Sequence, residues 1–181
     1  RSSLSLHNVD VTDCQGDKQI LHYLRAMGAC IEENCLSQQI DVSGQETLGG
    51  ICVDMDTCID ALPILAVLGC FARGTTHLYN ASIARKKESD RISAIAQELA
   101  KMGGDVEEHL DALVVHASSL QGAHLECHKD HRIGMALVIA ALGARGESRI
   151  SGVDCFTKSY PGFIKALQSV GAEIKEESCG F

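Results

Sequence analysis

Three groups of cations in an otherwise acidic sequence are the residues best suited to do chemistry. Arg85, Lys86, Lys87 and Arg91 form the first, Lys129, His131 and Arg132 the second, and Lys158 stands just before Ser159-Tyr160-Pro161. Each group lies where a helix is predicted to begin, Pro161 marking a first turn. Cations ordinarily favour the opposite end of a helix, because the N-terminal end of the macrodipole is already positive. Their grouping at three helix starts predicts an anion site, where dipole ends and side chains share one negative ligand. Lys87 and Arg91 are four apart and point the same way. The competing reading has these charges solvated and paired with Glu88, Asp90 and Asp130. Recurrence at equivalent positions favours the anion site.

Asp60 opens an apolar helix, so it is either an N-cap or a general acid or base tuned by nearby cations and partial burial. Glu88, beside Lys87, is a second candidate, with a place in a helical first turn as its structural alternative. Histidine titrates near neutrality and can move protons, which brings in His131. Residue types alone do not choose between these roles.

The elements that must hold these residues show internal echoes. Leu24 to Glu33, centred on Met27-Gly28, is echoed by Leu99 to Glu108 around Met102-Gly103, and by Leu167 to Glu176 around Val170-Gly171. Each predicts a helix end, a glycine taking positive φ, and a strand. A second echo relates Asp60–Gly69 to Arg132–Ala141. Both are apolar on every side and so predicted to be buried helices, each followed by a short strand. Arg91 to Met102 reads instead as an amphipathic helix, with Ile92, Ile95, Ala96, Leu99 and Met102 on one stripe and Gln97, Glu98 and Lys101 off it. Asp105–Glu108 and Ala112–His116 read as short strands. Ser3-Leu4-Ser5-Leu6 aligns with the strand that follows a buried helix, so the chain is expected to begin inside a unit. The expected domain is α/β, with sheets facing outward around a helical centre.

The 181 residues, with 16 Lys and Arg against 24 Asp and Glu, carry a net charge of -8. The length fits one domain spanning 1–181. With 45% apolar and 22% charged residues the chain can build a core. The acidic balance argues against nucleic-acid binding, and the longest apolar run, Met135 to Gly143, is too short to span a membrane. Nine cysteines, odd in number and without a CxxC pair, read as free thiols of a reducing cytosol, most of them in the core. His124, Cys127, His128 and His131 have metal-like spacing, but strand alternation at Leu125 and Cys127 keeps them from converging. No metal is expected there. Arg1 has the look of a cut end.

Lys87-Glu88-Ser89-Asp90-Arg91-Ile92, Asp130-His131-Arg132-Ile133-Gly134-Met135-Ala136 and Thr157-Lys158-Ser159-Tyr160-Pro161-Gly162-Phe163, in this order and spacing, resemble the 5-enolpyruvylshikimate-3-phosphate (EPSP) synthase family. Asp54-Met55-Asp56, with Asp60-Ala61 following, is similar to the family's segment around its catalytic aspartate, and Gln15-Gly16-Asp17 also fits. The resemblance covers about the whole chain. It implies one lobe of a two-lobed enzyme, the C-terminal one. That lobe is an inside-out α/β barrel of three βαβαββ units, the first incomplete here, with the active site in the cleft between lobes. The implied reaction moves an enolpyruvyl group from phosphoenolpyruvate to the 5-hydroxyl of shikimate 3-phosphate, without metal or organic cofactor.

Residue by residue, the resemblance implies that Asp60 accepts the hydroxyl proton. Lys87 with Glu88 then handles the methylene proton and the tetrahedral intermediate. Arg91, Arg132 and Lys158 hold the phosphate and carboxylate of phosphoenolpyruvate, with His131 beside them. Such arginine forks suit both anions. The resemblance further implies a cytoplasmic monomer and a glyphosate target. Two positions depart from the family: Ile59 stands where Pro commonly precedes the aspartate, and Ile83 where some members carry a substrate-contacting Asn. The rival readings are a UDP-N-acetylglucosamine enolpyruvyl transferase domain, with the same fold and a nucleotide-sugar acceptor, and a non-catalytic anion-binding module. The isolated chain is expected to fold without synthase activity.

Overall fold

The two segments that are apolar on every side form the centre of the protein. The computed structural model describes residues 3–10, 12, 16–44 and 47–177. In it the buried helices are α2 (Leu62–Phe71) and α4 (His131–Gly143), which pack against each other. Leu62, Leu65, Ala66, Ile133, Leu137 and Ala140 are all buried along that seam and around it. Burial of such side chains contributes roughly 1.5–3 kcal/mol each for the larger ones. Gly69 lets α2 lie close to its sheet, since a Cβ there would meet Thr76 and Val115 at 3.1 Å.

The other elements are β1 (Ser3–His7), α1 (Gln19–Ala26), β2 (Cys30–Asn34), β3 (Gln39–Ser43), β4 (Cys52–Asp54), β5 (Thr75–Tyr79), α3 (Arg91–Lys101), β6 (Asp105–Glu108), β7 (Leu113–His116), β8 (His124–Glu126), β9 (Arg149–Ser151) and α5 (Phe163–Ser169). The order β1-α1-β2-β3-β4-α2 recurs as β5-α3-β6-β7-β8-α4 and begins again with β9 and α5. The sheets follow suit. One has strand order β1-β3-β2, another β4-β5-β7-β6, and the third β8-β9. The pairs β4–β5 and β8–β9 are parallel, each bridged by a buried helix, and the remaining pairs are antiparallel. A parallel pair needs such a crossover, whereas the antiparallel pairs β2–β3 and β6–β7 close as hairpins.

The three glycine-centred echoes end their helices by one hydrogen-bond pattern. Gly28, Gly103 and Gly171 take φ of 99°, 82° and 97°. In each case the next residue's N–H bonds back to the carbonyl five residues earlier: Ala29 to Leu24, Gly104 to Leu99, Ala172 to Leu167. This is the Schellman arrangement, which a glycine enters without a Cβ penalty.

Several expectations need correction. Residues 172–177 form no strand, unlike the segments after Gly28 and Gly103, because no hairpin partner lies beside them among the described residues. Pro161 lies in a turn, and α5 begins only at Phe163, so Lys158 ends a 3-10 helix (Val153–Lys158) instead of starting an α-helix. Glu98, off the apolar stripe, is fully buried because β8 and the turn after it close over that side of α3. Of the described cysteines, Cys58, Cys70, Cys127 and Cys155 are buried and free, while Cys30, Cys35 and Cys52 are exposed and free. Arg1, Cys14, Gln15 and Cys179 lie outside the described residues.

Candidate active site

Two helix N-termini and one tight turn meet at the candidate site. Asp90 caps α3, accepting from the Ser93 N–H at 3.1 Å. Asp130 caps α4, accepting from the Arg132 N–H at 2.9 Å. Short polar caps of this kind satisfy the otherwise orphaned first-turn donors. Asp54 accepts from the Asp56 N–H and from Asn80, both at 3.1 Å, which fixes the turn running from β4 toward Asp60. Asp60 itself lies in a 3-10 turn (Ile59–Ala61), and α2 is capped by Ala61 without a side-chain bond. The N-cap alternative for Asp60 is therefore not the one realised.

Asp60 is held by three cations instead. Its Oδ1 accepts from Arg91 Nη1 at 2.7 Å and pairs with Lys87 Nζ at 3.2 Å, and its Oδ2 pairs with Arg132 Nη2 at 3.2 Å. Lys87, Asp60 and Arg132 remain about a third exposed, whereas Arg91 is 3% exposed. Burial pushes the Asp60 carboxyl up, but the charge of Arg132, the Lys87 hydrogen bond and Arg91 outweigh it and hold the group below the usual carboxylate range. At neutral pH it is an anion, and its basicity is held in check by its neighbours.

Behind Arg91 lies a second carboxylate. Asp130, with no exposed side-chain surface, accepts from Arg91 Nε at 2.7 Å and Nη2 at 3.3 Å, and from Ser89 Oγ at 3.1 Å. Desolvation raises its pKa, and the Arg91 fork, the Arg132 N–H and Ser89 together bring it below the ordinary value. Arg91 thus ties the N-terminus of α3 to that of α4. Glu88 and His131 pair across the same gap, Oε2 to Nδ1 at 3.0 Å.

The structure brings together Asp60, Lys87, Arg91 and Arg132 as one ion-paired cluster, with Glu88 and His131 as an adjoining pair. It does not tie Lys158 to them: that side chain is exposed, makes no ion pair with the described residues, and ends the 3-10 helix packed on α4. Arg85 is committed elsewhere, bonding the carbonyls of His109 and Leu110 and pairing with Asp90 and Glu108. For Arg85 and Arg91, pairing with Asp90 and Asp130 is thus realised. Ile83 stands exposed on its 3-10 turn.

Asp17 comes within 3.6 Å of Arg132. Asp130 is more than a counterion, since it caps one helix while anchoring another. Its place directly before His131-Arg132, at a predicted helix start, was the available signal. Glu88, Asp130 and His131 offer ligand atoms within 4.8 Å of one another, but both Asp130 oxygens already accept from Arg91, so a cation there would compete with a guanidinium. The metal-like sequence cluster disperses. Cys127 is buried with Cys155 and Phe156, His128 turns to Glu98, and His131 to Glu88.

Residues 1–167 match the family model of EPSP synthase (3-phosphoshikimate 1-carboxyvinyltransferase). The chain is 48% identical over 173 residues to the 3-phosphoshikimate 1-carboxyvinyltransferase of Chlamydia pneumoniae, covering 96% of this chain and 38% of that one. It is 41% identical over 175 residues to the protein of that name from Methanocaldococcus jannaschii, covering 96% and 40%. Among solved structures, EPSP synthase from Acinetobacter baumannii superposes with a TM-score of 0.86 at 28% identity, over 96% of this chain and 42% of that one. The chain therefore spans about two fifths of the length of the relatives it matches.

Proposed function

The chain belongs to the EPSP synthase family, and on that premise we propose that it supplies one lobe of an enzyme transferring the enolpyruvyl group of phosphoenolpyruvate to the 5-hydroxyl of shikimate 3-phosphate. Residues 1–181 act as one domain in this reading. Its fold is an inside-out barrel of three βαβαββ units, supported by the twice-run element order, the matching sheet orders and the three identical helix ends.

The observation that carries the reading is Asp60 ringed by Lys87, Arg91 and Arg132. In the resting site these cations keep the carboxylate weakly basic. A phosphate and a carboxylate arriving on Lys87 and Arg132, the two accessible cations, divert that positive charge to the ligand, and Asp60 regains basicity as the acceptor hydroxyl arrives. Asp60 takes the hydroxyl proton while the oxygen bonds to the enol carbon, and the methylene carbon receives a proton from the Lys87 and Glu88 pair. In the second half the methyl group returns a proton to that pair as the C–O bond to phosphate breaks, and the leaving phosphate takes up the proton held by Asp60, which restores both groups. All three Arg91 nitrogens already donate, Nε and Nη2 to Asp130 and Nη1 to Asp60, so Nη1 is the one on the Asp60 side where the ligand arrives. Lys158 completes the anion site from the neighbouring 3-10 helix, and His131 sets Glu88. The electrostatic work is done by groups already in place before the charge develops.

The whole protein works in the cytoplasm as a monomer without a cofactor, and glyphosate competes there for the phosphoenolpyruvate site. The isolated chain, lacking the opposite wall of the cleft, has no turnover. The test is phosphate release by the full-length protein: it requires phosphoenolpyruvate and shikimate 3-phosphate together. Release with UDP-N-acetylglucosamine instead reverses the acceptor, and no release with either acceptor leaves an anion-binding module.

A further inference from the structure

The buried carboxylate of Glu98 serves neither the apolar core nor any step above. It sits on α3 with no exposed side-chain surface. Its Oε1 accepts from Lys101 Nζ at 2.7 Å and pairs with His128 Nε2 at 2.7 Å; its Oε2 accepts from Lys101 at 2.9 Å and from the Glu126 N–H at 3.1 Å. A buried carboxylate is tolerated only when its lone pairs are used in this way. Burial raises its pKa, and Lys101, His128 and the Glu126 N–H more than offset that, keeping it charged.

Two of the three partners, Glu126 at the end of β8 and His128 in the connection that follows, lie on the stretch that delivers Asp130, His131 and Arg132. That connection is strained: His128 and Lys129 both take positive φ, 51° and 58°. Consecutive left-handed residues without glycine persist only where surrounding contacts hold them. Glu98 lies seven residues beyond Arg91 on one helix face. Arg91 grips Asp130 at one end of the connection, and Glu98 grips Glu126 and His128 at the other.

We infer that Glu98 is a positioning residue: with Arg91 it clamps the β8–α4 connection to α3 at two points, and so sets where His131 and Arg132 stand against Lys87 and Asp60. The inference rests on reading that cluster as the phosphoenolpyruvate site. Lys101 provides the contrast. It neutralises Glu98 from within α3, and among the described residues its hydrogen bonds and ion pair go to Glu98.

The test compares Glu98→Gln, Glu98→Asp, His128→Asn and Lys101→Met in the full-length protein, Asn being chosen because it tolerates positive φ. Steady-state kinetics on the folded fraction are expected to show the KM for phosphoenolpyruvate raised on the order of tenfold or more in Glu98→Gln and His128→Asn, partly restored in Glu98→Asp, and unchanged in Lys101→Met. Amide hydrogen exchange over residues 127–133 is expected to quicken in the first two and stay native-like in Lys101→Met. Loss of stability alone, with KM and exchange of that segment unmoved in Glu98→Gln and His128→Asn, overturns the clamp. A wild-type protein without turnover on phosphoenolpyruvate would sink the functional reading, while the exchange comparison would still decide the clamp.

Discussion

Arg91 and Asp130 form a buried fork between two helix N-termini, Nε to Oδ2 at 2.7 Å and Nη2 to Oδ1 at 3.3 Å, with side chains 3% and 0% exposed. The pair divides the labour of the cations. Arg91 is committed to architecture through two of its nitrogens, and Lys87 and Arg132 are left as the accessible charges around Asp60.

Breaking that fork from one side leaves a charge buried without its partner. Asp130→Ala also removes the cap of α4. Stability is expected to fall by about 3 to 5 kcal/mol, read from urea unfolding. A loss under about 1 kcal/mol would mean that the fork is solvent-screened, like a surface pair.

Asp60, Glu98 and Asp130 all have carboxyls held below their ordinary values. A depressed folded-state pKa contributes stability that is present above the unfolded value and lost as pH falls toward the folded one. Unfolding midpoints are thus expected to be flat from neutrality to about pH 5 and to drop from about pH 4 downward. Asp130→Asn should flatten part of that drop. An acid limb identical to wild type would contradict the assignment for Asp130.

Lys87→Met in the full-length protein removes an ion-pair partner of Asp60 and, on the proposed reading, a donor to the methylene carbon. Turnover is expected to fall by about a hundredfold or more, with folding intact by circular dichroism. Near-normal turnover would remove Lys87 from the chemistry.

Gly134, in the first turns of α4, faces Phe156 and Cys127. A Cβ there would lie 2.5 Å from the phenyl ring and 2.6 Å from the sulfur. Gly134→Ala is expected to cost about 1–3 kcal/mol through overpacking, and to be partly rescued by Cys127→Ala. Thermal melts of the single and double variants measure both effects, and no gain in the double variant would disprove the steric account.

Much of the fold is legible because it depends on local pattern. Gly28, Gly103 and Gly171 announce helix ends through positive φ, and the all-apolar Leu62–Phe71 and His131–Gly143 announce a helical centre. The strand expected after Gly171 failed because a strand needs a partner, which sequence pattern does not supply. Asp60, Lys87, Arg91 and Arg132 were legible as residue types, but their convergence on one carboxylate depends on two helix termini meeting from distant parts of the chain. Glu98 was hidden for a related reason. Beside the stripe of Ile92, Ile95 and Leu99 it reads as solvent-facing, and β8 with the turn after it brings the neighbours that bury it.

The buried thiols have a practical consequence. Burial pushes Cys70 and Cys127 up to about 12 and raises Cys58 and Cys155 as well, so in the folded chain these sulfurs are nearly inert to alkylating reagents. Cys30, Cys35 and Cys52 are accessible and should label at once. The slow remainder then works as a clock for opening, with Cys58 two residues from Asp60 and Cys127 just before the strained turn. Counting adducts by mass against time would separate breathing of the candidate site from global unfolding without introducing any probe.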